Sequence, residues 1–168
     1  EETYFLLDGS LSGGNPYTVF PDGSILALGS GADTTFTHSG TNCVIYNDTG
    51  DFTITQRAND KDIIFQCDDG SGGTETYFYL DGSLSGGNPY TVFPDNSRLG
   101  IGTSADLYFN HDGTDSHINN TEGNLYITNF ANDKDIIFKS DDGSGGTTEY
   151  FYLDGSAGNI LFGKELRL

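Results

Sequence analysis

The chain alternates short apolar stretches with clusters of turn-forming residues. The stretches are rich in Phe, Tyr, Ile and Thr and start about 8–13 residues apart, a spacing typical of strands in all-β proteins. Gly, Asn, Asp and Pro fill the intervals, and these residues favour tight turns. No stretch shows the 3.6-residue apolar period of an amphipathic helix. The pattern therefore predicts an all-β fold of short antiparallel strands and hairpins. The strands predicted in the first half are TYFLL from Thr3, YTVF from Tyr17, SILAL from Ser24, TTFTH from Thr34, CVIYN from Cys43, DFTIT from Asp51, DIIFQ from Asp62 and ETYFYL from Glu75.

The pattern recurs along the chain at a fixed interval of 73 residues, which is called the repeat length below. Asp8, Asp81 and Asp154 each begin the sequence DGS and are evenly spaced. His38 and His111 are separated by the same interval, so no insertion or deletion interrupts the register. The chain is therefore predicted to contain tandem 73-residue repeats. These are a β-repeat unit 1 at 3–75, a β-repeat unit 2 at 76–148, and at 149–168 the start of a third, diverged unit or a C-terminal extension.

The residues that stay constant between the units belong to turns and strands. The segments DDGSGG, SGGNP and NDKDIIF occur in both units, whereas the differences concentrate between Gly23 and Arg57 and at the equivalent positions of unit 2. A duplicated enzyme would be expected to keep a reactive cluster constant. Constant turns and strands are instead typical of a repeating structural scaffold.

Some predicted strands are apolar on both faces. Ile63, Ile64 and Phe65 are consecutive, so side chains on both faces of this strand need cover. A unit made of short strands has few residues that could supply it. We expect neighbouring chains to do so, in an elongated, intertwined or trimeric β-fibre. A self-contained monomeric sandwich or barrel is the alternative.

The first predicted strand lacks a partner that its equivalent has. The strand at Thr76 follows DIIFQ through DDGSGG, as in a hairpin, but no DIIF sequence precedes the strand at Thr3. The chain also contains no Met, which favours a processed chain or a piece of a longer fibre. The alternative is that another chain donates the missing strand. The residues of this candidate inter-chain strand are Thr3, Tyr4, Phe5, Leu6 and Leu7.

The charge of the chain argues against two classes of partner. The formal net charge is −18 at pH 7, and such a surface repels nucleic-acid phosphates and anionic lipids. No apolar run approaches the roughly 18 residues of a membrane span. We therefore expect no nucleic-acid partner and no membrane insertion.

Candidate metal ligands are few, and we predict no metal site or cofactor. In a trimer, three copies of His38 or of His111 could meet on the axis, with Asp112 beside His111. The alternative is that each His only ends a hairpin. Ca²⁺ is a second, weaker candidate because it binds several carboxylate oxygens, although Asp is also a common turn residue. The Asp residues concerned are Asp22, Asp68, Asp69, Asp95, Asp141 and Asp142.

The two cysteines, Cys43 and Cys67, both lie in unit 1, and Ser116 and Ser140 replace them in unit 2. A disulfide between them would explain why they occur together. Free thiols are the alternative. The chain carries no G-x-S-x-G motif or other nucleophile signature, so we predict that it is not an enzyme.

The segments ANDKDIIF, DDGSGGTTEYFYLDGS and DLYFNHDGTDSHI resemble repeats in tail-fibre and other virion-associated structural proteins of tailed phages, especially marine ones. The resemblance covers most of each 73-residue unit, although unit 1 departs from it at TTFTHSGTNCVIY. It implies a trimeric β-rich fibre used in host attachment or as a virion appendage. The resemblance also implies a location on the virion, in the tail or an appendage, or otherwise outside the cell.

We therefore expect a structural fibre module of a phage tail fibre or virion appendage, assembled from copies of itself as a trimer or filament. One alternative is a self-polymerising extracellular filament or adhesin built by strand donation. A second alternative is a module that binds host-surface glycans, with Tyr, Asn and Asp supplying stacking and hydrogen bonds. Its recognition loop would lie in a variable hairpin and include Asn110, His111, Asp112, Thr114 and Asp115.

Overall fold

The fold is all-β, as the sequence predicts. The computed structural model describes residues 2–8, 16–84 and 86–165, and within them it contains 14 strands and no helix. Consequently no helix in these residues is long and apolar enough to cross a membrane. The strands are β1 (Leu6–Asp8), β2 (Tyr17–Val19), β3 (Ile25–Leu28), β4 (Thr34–His38), β5 (Cys43–Asn47), β6 (Ile63–Cys67), β7 (Glu75–Asp81), β8 (Tyr90–Val92), β9 (Leu99–Ile101), β10 (Leu107–His111), β11 (Ser116–Asn120), β12 (Ile136–Asp141), β13 (Thr147–Asp154) and β14 (Asn159–Phe162).

The strands form small antiparallel sheets in which neighbours in sequence are neighbours in space. One sheet has two strands, β1-β2, and four have three: β3-β4-β5, β6-β7-β8, β9-β10-β11 and β12-β13-β14. Short connections reverse the chain, so antiparallel pairing of consecutive strands is the expected result. Each sheet is therefore a narrow meander with two edges.

Equivalent strands start at the same interval as the sequence motifs. β4 begins at Thr34, and β10 begins one repeat length further on, at Leu107. β5 and β11, which begin at Cys43 and Ser116, are separated by the same interval. The cross-strand registers of the two hairpins also agree position by position.

Contacts between residues divide the chain into two compact parts, which differ from the sequence repeat units. The first part comprises Glu1–Ile63 and Asp81–Asn88, and the second part comprises Ile64–Leu80 and Pro89–Leu168. Strands β1 to β5 lie in the first part. Strands β6 to β14 lie in the second part, apart from the first residue of β6 and the last residue of β7.

A contact between Asp and Gly explains why two of the constant motifs occur together. The Oδ1 atom of Asp62, in NDKDIIF, accepts a hydrogen bond of 3.0 Å from the backbone N–H of Gly82, in LDGS. Asp135 and Gly155 make the same contact at 2.9 Å. A Cβ atom on Gly82 would lie 2.5 Å from the carbonyl oxygen of Lys61, so only glycine fits there. The NDKDIIF motif thus supplies the acceptor of this hydrogen bond, and the LDGS motif supplies its donor.

The Asp of the DGS motif also closes its own turn. Asp81 Oδ1 accepts hydrogen bonds from the backbone N–H groups of Ser83 and Leu84, at 2.7 and 2.6 Å. Asp154 makes the equivalent bonds in the last sheet. A side-chain oxygen that binds the backbone two residues ahead is a common reason for Asp in turns.

Each three-stranded sheet carries a row of three apolar side chains across its strands. Because side chains alternate between faces along a strand, residues that pair across strands share a face. In two sheets the pairing aligns Leu, Phe and Ile, and in the other two a row of Phe rings has neighbouring centroids 4.4 to 6.2 Å apart. These four apolar rows are Leu26–Phe36–Ile45, Phe65–Phe78–Phe93, Leu99–Phe109–Ile118 and Phe138–Phe151–Phe162.

The part of the chain that the structure describes does not cover these rows. None of its hydrophobic side chains is buried. Phe36 and Phe109, at the centres of their rows, remain 40% and 38% exposed. Each of these sheets therefore lacks a hydrophobic core beneath its apolar row.

Two predicted strands differ from the structure. The predicted strand DFTIT is wrong within the single chain, because residues 51–57 form no strand. The predicted strand TYFLL is shorter than expected, because β1 begins only at Leu6. β1 also has a partner: Leu6 pairs with Val19 of β2. Sequence propensity identified both stretches, but pairing depends on which strand the fold places beside them.

Gly82→Ala is expected to destabilise the fold, because the new Cβ would meet the Lys61 carbonyl oxygen. Overpacking of this kind costs about 1–3 kcal/mol, so thermal unfolding followed by circular dichroism should give a lower midpoint. Gly86→Ala is the matched control, since a Cβ there meets nothing within 4 Å. Equal midpoints for the two variants would contradict the close approach at Gly82.

Candidate functional site

The hairpin formed by β10 and β11 carries the predicted recognition loop. Its register places Asn110 opposite His117 and His111 opposite Ser116. The turn Asp112–Asp115 joins the two strands, and a backbone hydrogen bond of 3.0 Å from the N–H of its first residue to the carbonyl oxygen of its last closes it. The structure therefore brings the five predicted loop residues to one end of one hairpin.

Asp112 organises this end of the hairpin. Its Oδ1 atom accepts hydrogen bonds from the backbone N–H groups of Thr114 and Asp115, each at 2.9 Å. Its Oδ2 atom lies 3.0 Å from Nε2 of His117, across the hairpin. The N–H of Asp115, the His117 side chain and the N–H of Thr114 stabilise the ionised carboxylate and lower the pKa of Asp112 to about 2. Asp112 thus serves to hold its own loop closed.

The equivalent hairpin, formed by β4 and β5, ends in different polar groups. The Nδ1 atom of His38 lies 2.8 Å from Oδ1 of Asp22, which belongs to the turn before β3. Ser39 replaces Asp112, and its Oγ atom accepts a hydrogen bond of 3.1 Å from the backbone N–H of Asn42. The two hairpins therefore share backbone register but present different chemistry at their ends.

The weak metal candidates His38, His111 and Asp112 do not converge within one chain. In residues 2–8, 16–84 and 86–165, no group of three His, Cys, Asp or Glu side chains could hold a metal ion. His38 and Asp112 each already contact another side chain. A metal bound by the same His from three chains stays a prediction, because the structure contains one chain.

The Asp-rich turns use their carboxylates to bind their own backbone. Asp69 Oδ1 accepts bonds of 2.9 and 2.6 Å from the N–H and hydroxyl of Ser71. Asp142 makes the same pair of bonds to Ser144, at 2.8 and 2.6 Å. In both turns the Ser hydroxyl is the first cause of a lowered pKa of the Asp carboxyl. Turn closure accounts for these carboxylates, and Ca²⁺ binding stays a prediction.

Cys43 and Cys67 are not joined by a disulfide in this structure. Both are exposed free thiols. Cys43 begins β5 and Cys67 ends β6, so the two belong to different sheets, although both lie in repeat unit 1. The predicted disulfide therefore finds no support within the chain.

The hairpin end contains one contact between a hydroxyl and an imidazole. Ser116 Oγ lies 3.2 Å from Nδ1 of His111. A catalytic triad also needs an acid that orients the imidazole, but the neighbouring Asp112 contacts His117 instead. In the described residues, Asp112 therefore does not complete a triad with this pair.

Two grooves with similar linings recur in the chain, and sequence reasoning missed both. A groove of 690 Å³ lies between residues 75–78 and 93–100. Its counterpart, of 590 Å³, lies between residues 2–5 and 20–25. Both combine Phe, Tyr and Pro with Asp and Ser, and the constant YTVFPD motif was the signal available in the sequence. The 690 Å³ groove differs by Arg98, whose guanidinium lies 4.7 Å from the centroid of the Tyr108 ring.

A third groove follows one of the apolar rows. It has a volume of 430 Å³ and is lined by Phe93 and by the Leu99–Phe109–Ile118 row, with His111 and His117 beside them. The predicted recognition loop therefore lies next to exposed apolar surface, as well as next to solvent.

Comparisons of the chain with protein-family models, with curated proteins and with solved structures found no match.

The Asp112 carboxyl is expected to titrate near pH 2, and carbon-13 NMR of the side-chain carboxyl measures this directly. His117→Ala removes one of the contacts, so the midpoint should rise toward the ordinary value of 3.8. His111→Ala is the control, because the His111 side chain contacts Ser116 and not Asp112, so this variant should leave the pKa of Asp112 unchanged. A depressed pKa stabilises the hairpin above pH 3.8, and this contribution is lost as the pH falls through about 2. A wild-type midpoint near 3.8 would contradict this network.

Proposed function

We propose that this chain is a structural module of a β-rich fibre, assembled from copies of itself through the apolar rows. The observation that carries the proposal is that every three-stranded sheet has an apolar row and that no hydrophobic side chain in the described residues is buried. A passive fibre needs surfaces that recur along the chain. It needs no assembled catalytic group.

The accessible surface of the chain supports association with other copies. The chain exposes 13672 Å², whereas a compact monomer of 18.1 kDa exposes about 8,100 Å². The difference of about 5,600 Å² per chain is far above the roughly 800 Å² that each partner buries in a standard interface, so an extensive interface would be required to cover it. A contact between domains of one chain buries only about 600–1,500 Å², so it would leave most of this surface exposed.

The recurrence of the rows supports a tandem architecture. Leu26, Phe36 and Ile45 form one row, and the residues one repeat length further on form another. The central Phe residues of the two Phe rows, Phe78 and Phe151, are separated by the same interval. We propose that each 73-residue unit contributes the same pair of sheets, so that adding units lengthens the fibre.

The width of the sheets favours three copies around an axis. Strands lie about 4.8 Å apart, so a three-stranded sheet is about 14 Å wide. Three such sheets arranged as a triangle would each lie about 4–5 Å from the axis. This is close to half of the roughly 10 Å that separates packed sheets, so the inward side chains would meet and fill the centre.

The proposed setting is a phage tail fibre or virion appendage that supports host attachment. This setting is proposed because the repeated segments resemble those of virion-associated fibres. An extracellular fibre of another origin would use the same assembly. The acidic surface, with a net charge of −18, favours solubility of a long assembly.

A strand-donating filament is the second candidate. β1 pairs with β2 alone, whereas β7 and β13 each lie between two strands. However, both strands that contain the IIF motif, β6 and β12, are already paired within the chain. A donated IIF strand would therefore have to leave its own sheet, which makes the trimer the better supported assembly.

Light scattering after size exclusion should give the mass of three chains. Phe36→Ser combined with Phe109→Ser should reduce this mass to that of one chain. Truncating a buried Phe costs about 3–5 kcal/mol, which is more than a hundredfold in an equilibrium constant. Thr35→Ser combined with Tyr108→Thr is the control, because these residues lie on the opposite face of the same strands.

A clean monomer of 18.1 kDa for the wild-type chain would overturn the proposal. Large species whose mass grows with concentration would instead favour the strand-donating filament.

A glycan-binding module is a third candidate, because the 690 Å³ groove places Tyr77 and Arg98 beside Asp95. Aromatic rings and charged hydrogen-bonding groups suit sugar recognition. If this candidate is correct, a glycan array should show binding that falls at least tenfold in Arg98→Ile, the residue of the counterpart groove at Ile25. An array with no signal above background would remove it.

A further inference from the structure

Two segments have strand-like sequences but form no strand within the chain. They are DFTITQR at 51–57 and NLYITNF at 124–130, and they occupy equivalent positions in the two repeats. In both segments an apolar residue occupies every second position at the centre. These residues are Phe52 and Ile54 in the first segment and Leu125 and Ile127 in the second. This period of two is the pattern of a β-strand.

The backbone of these segments forms no bend, turn or strand in the single chain. No backbone N–H or C=O group of residues 51–57 or 124–130 bonds to another backbone group in the part of the chain that the structure describes. A segment in this state presents unpaired backbone donors and acceptors along its length.

The loop that precedes each segment has the same hydrogen bonds at both places. The Asn47 side chain donates hydrogen bonds to the carbonyl oxygens of Thr49 and Gly50, at 2.8 and 3.1 Å. Asn120 makes the equivalent bonds at 3.0 and 2.9 Å. In neither place does the loop lead into a strand that pairs with β5 or β11. The same Asn-centred loop therefore precedes both unpaired segments.

The side chains of the second segment are among the most exposed apolar groups of the chain. Phe130 is 94% exposed, Tyr126 79% and Ile127 62%. Exposed aromatic residues on an unpaired strand mark an interaction surface or a site of aggregation.

We propose that 51–57 and 124–130 are inter-chain strands, each of which hydrogen-bonds to an open sheet edge of a second copy of this chain. The proposal rests on the self-association described under Proposed function and names the backbone pairing within it. Because the segment recurs once in every repeat, its occupant must offer a matching edge with the same period. A second copy of this chain has that period.

The sheets offer such edges. β3 and β5 are the outer strands of one sheet, and β9 and β11 are the outer strands of its counterpart. Their outward N–H and C=O groups can pair with an added strand, as in β-augmentation. A seven-residue extended segment is about 23 Å long at about 3.3 Å per residue, enough to pair along a whole edge strand of three to five residues.

Amide hydrogen exchange on the assembled full chain is the first test. We expect protection of at least a hundredfold for alternate amides of residues 52–55 and 125–128. These amides have no backbone partner within the described chain, so protection must come from another copy. Exchange of all of them at the rate of an unstructured peptide, in an assembled sample, would overturn the inference.

Proline substitution is the second test, because proline removes the N–H but fits an extended backbone. Alternate N–H groups point to opposite edges of a strand, so two variants are needed. One carries Thr53→Pro and Tyr126→Pro, and the other carries Ile54→Pro and Ile127→Pro. We expect at least one of them to lose the assembled mass. A solvated linker would tolerate both, and wild-type mass for both would overturn the inference.

Matched controls separate the backbone from the side chain. Thr53→Tyr with Tyr126→Thr exchanges the residues of the two segments and keeps both N–H groups, and Ile54→Thr with Ile127→Thr also keeps them. We expect the variant with exchanged residues to assemble as the wild type does. The Pro variant at positions 53 and 126 is compared with this exchange variant. The Pro variant at positions 54 and 127 is compared with the Thr variant at the same positions. A multimeric wild type whose segments exchange freely would remove this inference and leave the fibre proposal intact. A monomeric wild type would remove both.

Discussion

A sheet of three strands cannot bury its own apolar face, and the other features of this chain depend on that constraint. Each sheet has a row of three apolar side chains across it, and the next element in sequence is another narrow sheet or an extended segment. No helix is present in the described residues to cover a row. Within the described residues these rows therefore lack the hydrophobic burial that normally stabilises a domain.

Local order in the chain comes from polar contacts instead of a core. Carboxylates of Asp62, Asp81 and Asp112 bind backbone N–H groups within turns or between neighbouring loops. Hydrogen bonds to an ionised acceptor are stronger than neutral ones, so these turns can keep their shape before any apolar surface is covered. The acidic composition is thus partly a structural requirement as well as a source of solubility. The turns and the strand registers are therefore already formed in the single chain.

The all-β class and most strand positions could be predicted because turn chemistry is local. DGS, SGTN and DDGSGG contain the residues that reverse the backbone, and the strands between them follow. The Asp62–Gly82 contact could not be predicted, because it joins positions far apart in sequence through a carboxylate whose direction depends on the fold. The paired grooves were missed for a similar reason. Their walls come from separated segments, and only the constant FPD motif indicated that something lay there.

DFTIT shows the limit of reasoning from propensity. Its residues favour a strand, yet β-structure needs a partner edge, and the segment that follows the Asn47 loop pairs with no strand in the described residues. The proposed Cys43–Cys67 disulfide is absent from this structure, and the sequence could not decide between it and free thiols. Shared occurrence in one unit carries no information about distance, and the two residues lie in different sheets. The hairpin at Asn110–Asp115 was easier, because one turn places all of its residues together.

The Asp–Gly contact has a consequence for how such a chain can change its length over evolution. Asp62 bonds to Gly82, and Asp135 bonds to Gly155, so the boundary between sequence repeats falls inside a contact and not between contacts. A recombination that joins any position to its equivalent in the next repeat recreates the same contact from the two pieces. The breakpoint can therefore lie anywhere in the repeat, including inside a strand, provided that the step is one whole unit. Shorter insertions or deletions between the Asp and its Gly would instead be eliminated, because they separate the carboxylate from the glycine.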